Sequence, residues 1–151
     1  MIFLLDTNIL VHILRGKRAY FEDTFQINEP EHRLIISAVT IGELRAFALK
    51  NKWGVRKKQQ MEELINEFFV VEIHHDAIHN RYAEIDTFSQ GKLDGQPLGM
   101  SARNMGKNDL WIAATASVFN ATLLSTDNDF DHLDPVFLSV PKIDLEKLSQ
   151  Y

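Results

Sequence analysis

Four acidic residues stand at the ends of apolar runs, spread along the chain: Asp6, Glu43, Asp109 and Asp127. Asp6 closes Met1-Ile2-Phe3-Leu4-Leu5, and Glu43 follows Leu34-Ile35-Ile36. Asp109 opens Leu110-Trp111-Ile112-Ala113-Ala114, and Asp127 closes Thr122-Leu123-Leu124-Ser125-Thr126. If the apolar runs are parallel strands, their carboxyl ends share one edge of one sheet. Ligands of open α/β sheets bind in the crevice outside that edge. Carboxylates gathered there cannot all ionise without a cation between them. The pattern points to a divalent-metal site, and magnesium or manganese are the hard cations that prefer carboxylate and water oxygens.

The elements that must position these acids are legible as runs and stripes. Ile2–Leu5 is short, continuous and apolar, as a strand buried on both faces is. Ile9, Leu10, Ile13 and Leu14 form one helical stripe over Thr7–Arg15, with Gly16 as its stop. Lys17–Arg33 reads as part helix, part loop. Leu34–Ser37 is the second strand, followed by helices over about Thr40–Lys50 and Val55–Phe68. Phe69–Ile73 is a third strand, and Asp76 is placed to cap a helix carrying Ile78, Tyr82, Ile85 and Phe88. Gln90–Lys107 holds Gly91, Gly95, Pro97, Gly99 and Gly106; a glycine-rich loop this long in a compact domain is usually functional or disordered. A helix from Asp109 to about Phe119, strands Thr122–Thr126 and Val136–Val140, and a short helix Ile143–Gln150 complete the chain. The expected fold is α/β: a three-layer sandwich with a mostly parallel central sheet and helices on both faces, in a single domain over residues 1–151.

Each residue also has a plainer use. Asp6 and Asp109 could simply cap helices, Glu43 could be a solvated helix residue, and Asp127 could be one member of an acidic turn with Asp129, Asp131 and Asp134. The joint arrangement favours chemistry. Beside the acids, Asn8 and Asn108 are placed to hydrogen-bond carboxylates into position. Thr7, Ser125 and Thr126 offer hydroxyls, and Asp129 offers an accessory carboxylate. Lys50, Lys52, Arg56, Lys57 and Lys58 flank Trp53, a cluster read as a solvated helix junction in preference to an RNA grip. Arg103 and Lys107, just before Asp109, could contact phosphate at the mouth of the site. His75 and His79 have the spacing of helical metal ligands, but nothing nearby completes a zinc set.

Four segments together resemble the PIN-domain nucleases. Leu5-Asp6-Thr7-Asn8 resembles their opening motif and Ser37-Ala38-Val39-Thr40-Ile41-Gly42-Glu43-Leu44 their second. Asn108-Asp109-Leu110-Trp111-Ile112-Ala113-Ala114-Thr115-Ala116 is similar to the third, in the form of VapC-like toxins, and Leu124-Ser125-Thr126-Asp127-Asn128-Asp129-Phe130 to the fourth. The resemblance implies a magnesium- or manganese-dependent endoribonuclease that hydrolyses RNA with a metal-activated water. Its ligands would be Asp6, Glu43, Asp109 and Asp127. It also implies a toxin neutralised by a cognate antitoxin, and a homodimer. The alternatives fit less well. A receiver domain would want paired acids after its first strand, where Leu4-Leu5 precede a single Asp6. An aspartyl-phosphate phosphatase would want an acid at Asn8. A catalytically idle binding module would not need all four acids.

The composition agrees. At 151 residues and 45% hydrophobic content the chain can bury a core. No apolar run approaches the ~20 residues of a membrane helix, and Met1–Leu5, stopped by Asp6 without a basic lead, does not read as a signal peptide. The absence of cysteine excludes disulfides and thiolate metal sites and fits a reducing cytoplasm. A net charge of −5 argues against holding nucleic acid by an overall field, though not against a local basic patch.

Overall fold

The computed structural model describes all residues, Met1–Tyr151. Four strands form one sheet in the order β3-β2-β1-β4, every pair parallel: β1 (Ile2–Leu5), β2 (Arg33–Ser37), β3 (Phe69–Val71) and β4 (Thr122–Leu124). Between them run α1 (Thr7–His12), α2 (Arg18–Phe25), α3 (Ala38–Lys50), α4 (Val55–Ile65), α5 (Asp76–Ser89) and α6 (Lys107–Val118), with α7 (Leu145–Ser149) near the carboxyl end. The chain leaves α1 through a wide turn over Ile13–Lys17, where Gly16 takes φ +87°. That left-handed conformation suits glycine and ends the helix, as the sequence suggests.

Alternation along the strands sorts the core into two layers. Phe3 and Leu5 of β1, with Ile36 and Leu124, pack against α1 to α4. Leu4, with Ile35, Val71 and Leu123, faces α5, α6 and the turn after β4. A period of two feeding two faces gives the three-layer sandwich. Strand β1 lies between β2 and β4, so the connections leave it in opposite directions. The crevice beyond the carboxyl ends of β1 and β4 is the switch point where open parallel sheets bind ligands. No helix is long and apolar enough to cross a membrane.

Some boundaries differ from the sequence reading. Val136–Val140 is not a strand: only Ser139 bridges to Thr122. Its backbone groups are satisfied elsewhere, with Val140 N–H donating to Asp134 Oδ2 and the Phe137 carbonyl accepting from Ser117 Oγ. Pro135 and Pro141 flank it and further discourage a ladder. Helix α4 ends at Ile65, three residues before the predicted Phe68, and β3 ends at Val71. Asp76 lies inside the first turn of α5, and the capping position belongs to His75. The terminal helix begins at Leu145, its Lys147 N–H accepted by Asp144.

Candidate metal centre

Asp6 is the residue after β1 and the N-cap of α1. Its Oδ1 accepts the Thr7 N–H at 2.8 Å, and Oδ2 accepts from Ser125 Oγ at 2.7 Å and from Asn8 Nδ2 at 3.0 Å. Capping and a place in the crevice are thus one role, not alternatives. Its backbone N–H donates to the Leu124 carbonyl at 2.9 Å, which ties the end of β1 to the end of β4. Only 4% of Asp6 is exposed. Burial, opposed in part by the hydrogen bonds from Ser125 and Thr7, pushes its carboxyl up to about 6; the charges of Glu43 and Asp127 push the same way.

The other end of the network is the turn after β4. Ser125 Oγ accepts the Asp127 N–H at 3.0 Å, and Asn8 Oδ1 accepts the Thr126 N–H at 3.1 Å. Asn8 and Ser125 therefore position carboxylates, whereas Thr126 contributes its backbone. Asp127 caps the short 3-10 turn Asn128–Leu133 by accepting the Asp129 N–H at 2.9 Å. Glu43 enters from the second turn of α3, which begins at Ala38, two residues before the expected start at Thr40. Its Oε1 accepts from Thr7 Oγ1 at 2.7 Å, and that hydroxyl lies 3.2 Å from the buried Thr40 Oγ1. Asp109 stands in the first turn of α6, behind Gly106. Half-burial raises its carboxyl to about 7, with further push from Asp6, Asp127, Glu43 and Asp129.

All four acids named from the sequence line one cleft of about 340 Å³ at the switch point. At its edge, carboxylate oxygens of Asp109, Asp127 and the exposed Asp129, which does not itself line the cleft, lie within 4.8 Å of one another, a spacing that suits a cation between them. Asp6 and Glu43 form the adjoining wall, Asp6 being turned by its three hydrogen bonds. The donor set is all oxygen, which fits a hard divalent metal, and a cation there would favour the ionised forms of Asp6 and Asp109 that burial disfavours.

Other expectations fall outside the cleft. Asn108 is exposed and hydrogen-bonds none of the acids. Arg103 and Lys107 do not line the cleft: Arg103 borders a separate hollow with Lys92 and Asn104. The glycine-rich loop is drawn over α5 by Leu93, Leu98 and Met105 packing in the core, and by the Arg103 N–H donating to the Ser89 carbonyl at 2.7 Å. His74 and His75 stack on each other, and His79 Nε2 meets the Ile73 carbonyl, so these histidines make no metal set. Trp53 packs near-perpendicular to Phe47, with Lys57 Nζ 4.3 Å over its ring. Sequence reasoning missed His12 and Arg15, which line the cleft from α1 and the turn after it. Their spacing from Asn8, four and seven residues, was the available signal.

The PIN domain family profile matches residues 3–135. The chain belongs to the PIN-domain family. Among similar proteins, ribonuclease VapC1 of Haemophilus influenzae is 28% identical over 131 residues, covering 83% of this chain and 86% of that protein. Ribonuclease VapC2 of Rickettsia felis is 24% identical over 127 residues, covering 84% and 87%. The fold matches the structure of VapBC2 from Rickettsia felis bound to a promoter DNA fragment, with a TM-score of 0.77 at 22% identity, covering 95% of this chain and 100% of that one. It also matches VapBC-1 from nontypeable Haemophilus influenzae, with a TM-score of 0.74 at 24% identity, covering 94% and 98%. PIN membership removes the receiver and phosphatase alternatives, and Asn8, where a phosphatase would want its second acid, is instead bonded to Asp6.

Proposed function

We propose that this PIN protein is a magnesium- or manganese-dependent endoribonuclease, the toxin of a toxin–antitoxin pair, acting in the cytoplasm as one nuclease domain over residues 1–151. The observation that carries the reading is the convergence of Asp6, Glu43, Asp109 and Asp127 on one cleft, where burial first and the neighbouring acids second push Asp6 up to about 6 and Asp109 up to about 7. Asp109, Asp127 and Asp129 would hold the ion, with Asp6 and Glu43 completing its surroundings. When bound, such an ion polarises a phosphoryl oxygen and supplies a nucleophile from water near neutral pH.

The chain's own groups set up the rest. Ser125, Asn8 and the Thr7 N–H fix Asp6 in one orientation, so it need not reorganise as charge develops. Thr7 holds one oxygen of Glu43 and leaves the other without a protein partner, free to orient a water. Arg103 and Lys107, away from the lining, act at longer range by drawing the polyanion toward an acidic protein. A cognate antitoxin and a second copy of the chain are the proposed protein partners, a reading supported by the likeness to the VapBC complexes.

The test is cleavage of total RNA by the purified protein in EDTA, magnesium and manganese, beside the variants Asp6→Asn and Asp109→Asn. Metal-dependent cleavage, lost at least ~100-fold in either variant, is expected. Cleavage indifferent to EDTA, or full activity in either variant, overturns the assignment.

A further inference from the structure

The acids occupy only part of the cleft. Its remaining wall is Thr7, Asn8, Val11 and His12 of α1 and Arg15 of the turn that follows it, faced by Phe47 from α3. The spacing i, i+3, i+4 puts Asn8, Val11 and His12 on one face of α1, and Arg15 reaches the same space from the turn beyond it. Arg15 is the one permanent cation among the residues that line the cleft. It shares the space with four carboxylates yet forms an ion pair with none, and its side chain makes no hydrogen bond. Nor does its charge rank among the influences on Asp6 or Asp109. Arg15 is therefore not there to neutralise the acids. Seven residues separate it from Asn8, about 10 Å along a helix axis. An anion held by Arg15 is thus a neighbour of one held at the acids.

Phe47 supplies the second half. It is half-buried, lines the cleft, and is braced by Trp53 at 5.5 Å and 81°. Trp53, the aromatic of the basic cluster, has Lys57 over its ring. Phe47 and Val11 are the two hydrophobic residues in the lining. His12, between them and Arg15, is held toward its neutral form by burial and by the charges of Arg15 and Lys17. It can then donate or accept a hydrogen bond without adding charge.

On the nuclease reading above, we propose that Arg15, His12 and Phe47 form a nucleotide subsite beside the metal centre, which takes the unit of single-stranded RNA next to the scissile phosphate. Arg15 holds the adjacent, non-reacting phosphate through its planar fork. Phe47 receives the base, because stacking on an aromatic is open to any unpaired base and closed to a duplex. Arg15 and Phe47 are positioning residues: they place the chain so that the reacting phosphate arrives among the acids.

The experiment separates the two contacts in an Asp109→Asn background, using a fluorescein-labelled single-stranded RNA 12-mer, anisotropy and a salt series. Adding Arg15→Gln should weaken binding about 10-fold or more. It should also flatten the slope of log affinity against log salt by about 0.7, the mark of one lost phosphate contact. Phe47→Leu keeps an apolar side chain against Trp53 but removes the stacking face. It should weaken binding about 5-fold with the salt slope unchanged, and leave the affinity of an abasic oligomer of the same length unaltered. If the parent binds RNA and Arg15→Gln binds equally with the same slope, or Phe47→Leu weakens the abasic oligomer as much as the RNA, the subsite is overturned. If the parent binds no RNA, the nuclease reading falls and the subsite falls with it.

Discussion

Replacing Asp109 by asparagine should stabilise the metal-free protein while abolishing its activity. Asp109 ionises near 7 in the folded chain against an ordinary 3.8, because it is half-buried and faces Asp6, Asp127, Glu43 and Asp129. A folded value above the unfolded one means that the protonated form is favoured by folding. Its contribution is fully present below about 3.8 and is lost as the pH rises through about 7. At pH 8 the folded chain carries a charge it would rather not hold. In a dry site the cost would be about 4 kcal/mol; with half the side chain in water, screening leaves about 1–2 kcal/mol. Asparagine has the same shape and no charge, and Asp109 makes no side-chain hydrogen bond that the amide would spoil. At this chain length each kcal/mol shifts the melting point by about 2–4 °C, so the variant should melt roughly 2–8 °C higher at pH 8. The gain should shrink as the pH falls and vanish below about pH 4, where both proteins are neutral at this position. Millimolar magnesium should reverse the order, because binding to the native state raises the stability of the wild type by mass action and the variant has lost a ligand. Scanning calorimetry at several pH values, in EDTA and in magnesium, measures all of this. A variant that melts no higher than the wild type at pH 8 in EDTA would show that burial and the neighbouring acids do not raise Asp109 as argued.

Other outcomes follow from the same geometry. Asp6→Asn should lose at least ~100-fold in cleavage, as Asp109→Asn should, yet gain less stability. Its amide must turn an N–H toward Asn8 Nδ2 or Thr7 N–H, both donors to Asp6 in the wild type; calorimetry of the two variants side by side checks the ranking. Ser89→Ala should cost about 1–3 kcal/mol by urea titration. Ser89 Oγ is the partner of the buried His132 Nε2 at 2.7 Å, and the Nδ1 of that ring already has none. Reversing charge at Arg103 and Lys107 should weaken RNA binding less than Arg15→Gln does, since neither lines the cleft; an anisotropy result in the opposite order would move the phosphate contact to the loop.

The parts of the fold and site that could be read in advance have a common physical origin. Strands β1, β2 and β4 are buried on both faces, so their sequences are continuous apolar runs, and the residue that ends each run is fixed by where water begins. Asp6 and Asp127 sit at those ends and were legible for that reason. Val136–Val140 misled because Leu138 alternates as a strand residue would, while the fate of its backbone groups depends on Ser117 and Asp134, which no local pattern reports. The glycine-rich loop is largely exposed, as its composition suggests, but Met105 is buried and Leu93 and Leu98 pack on the second core layer, and Arg103 borders a hollow apart from the cleft. Arg15, which lines the cleft, was missed because a lone cation at a helix end looks like ordinary charge complementing the helix dipole.

The hydrogen bonds of the site also bear on when it can exist. Asn8 and Ser125 are 117 residues apart, and Asp6 and Ser125 are 119 apart, yet they share one carboxylate. Glu43 is joined to the same region through Thr7, 36 residues away. No local segment can assemble this arrangement. It forms only when β4 docks beside β1, and that pairing brings Asp127 and Asp129 toward Asp109. The unfolded chain consequently offers a cation nothing better than separate, hydrated carboxylates, so metal affinity belongs almost wholly to the native state and appears in full as stability. The same coupling explains why buried polar groups are tolerated at the switch point: Asp6, Ser125, Thr40 and Ser37 are all buried among apolar neighbours. Each makes at least one hydrogen bond or close hydroxyl contact within the site or its helix cap. Hydrogen bonds offset the desolvation of the neutral groups, but they do not remove the repulsion among the acids. That residual repulsion leaves the acids short of a counter-charge, and removing it is expected to stabilise the fold at the expense of the proposed chemistry.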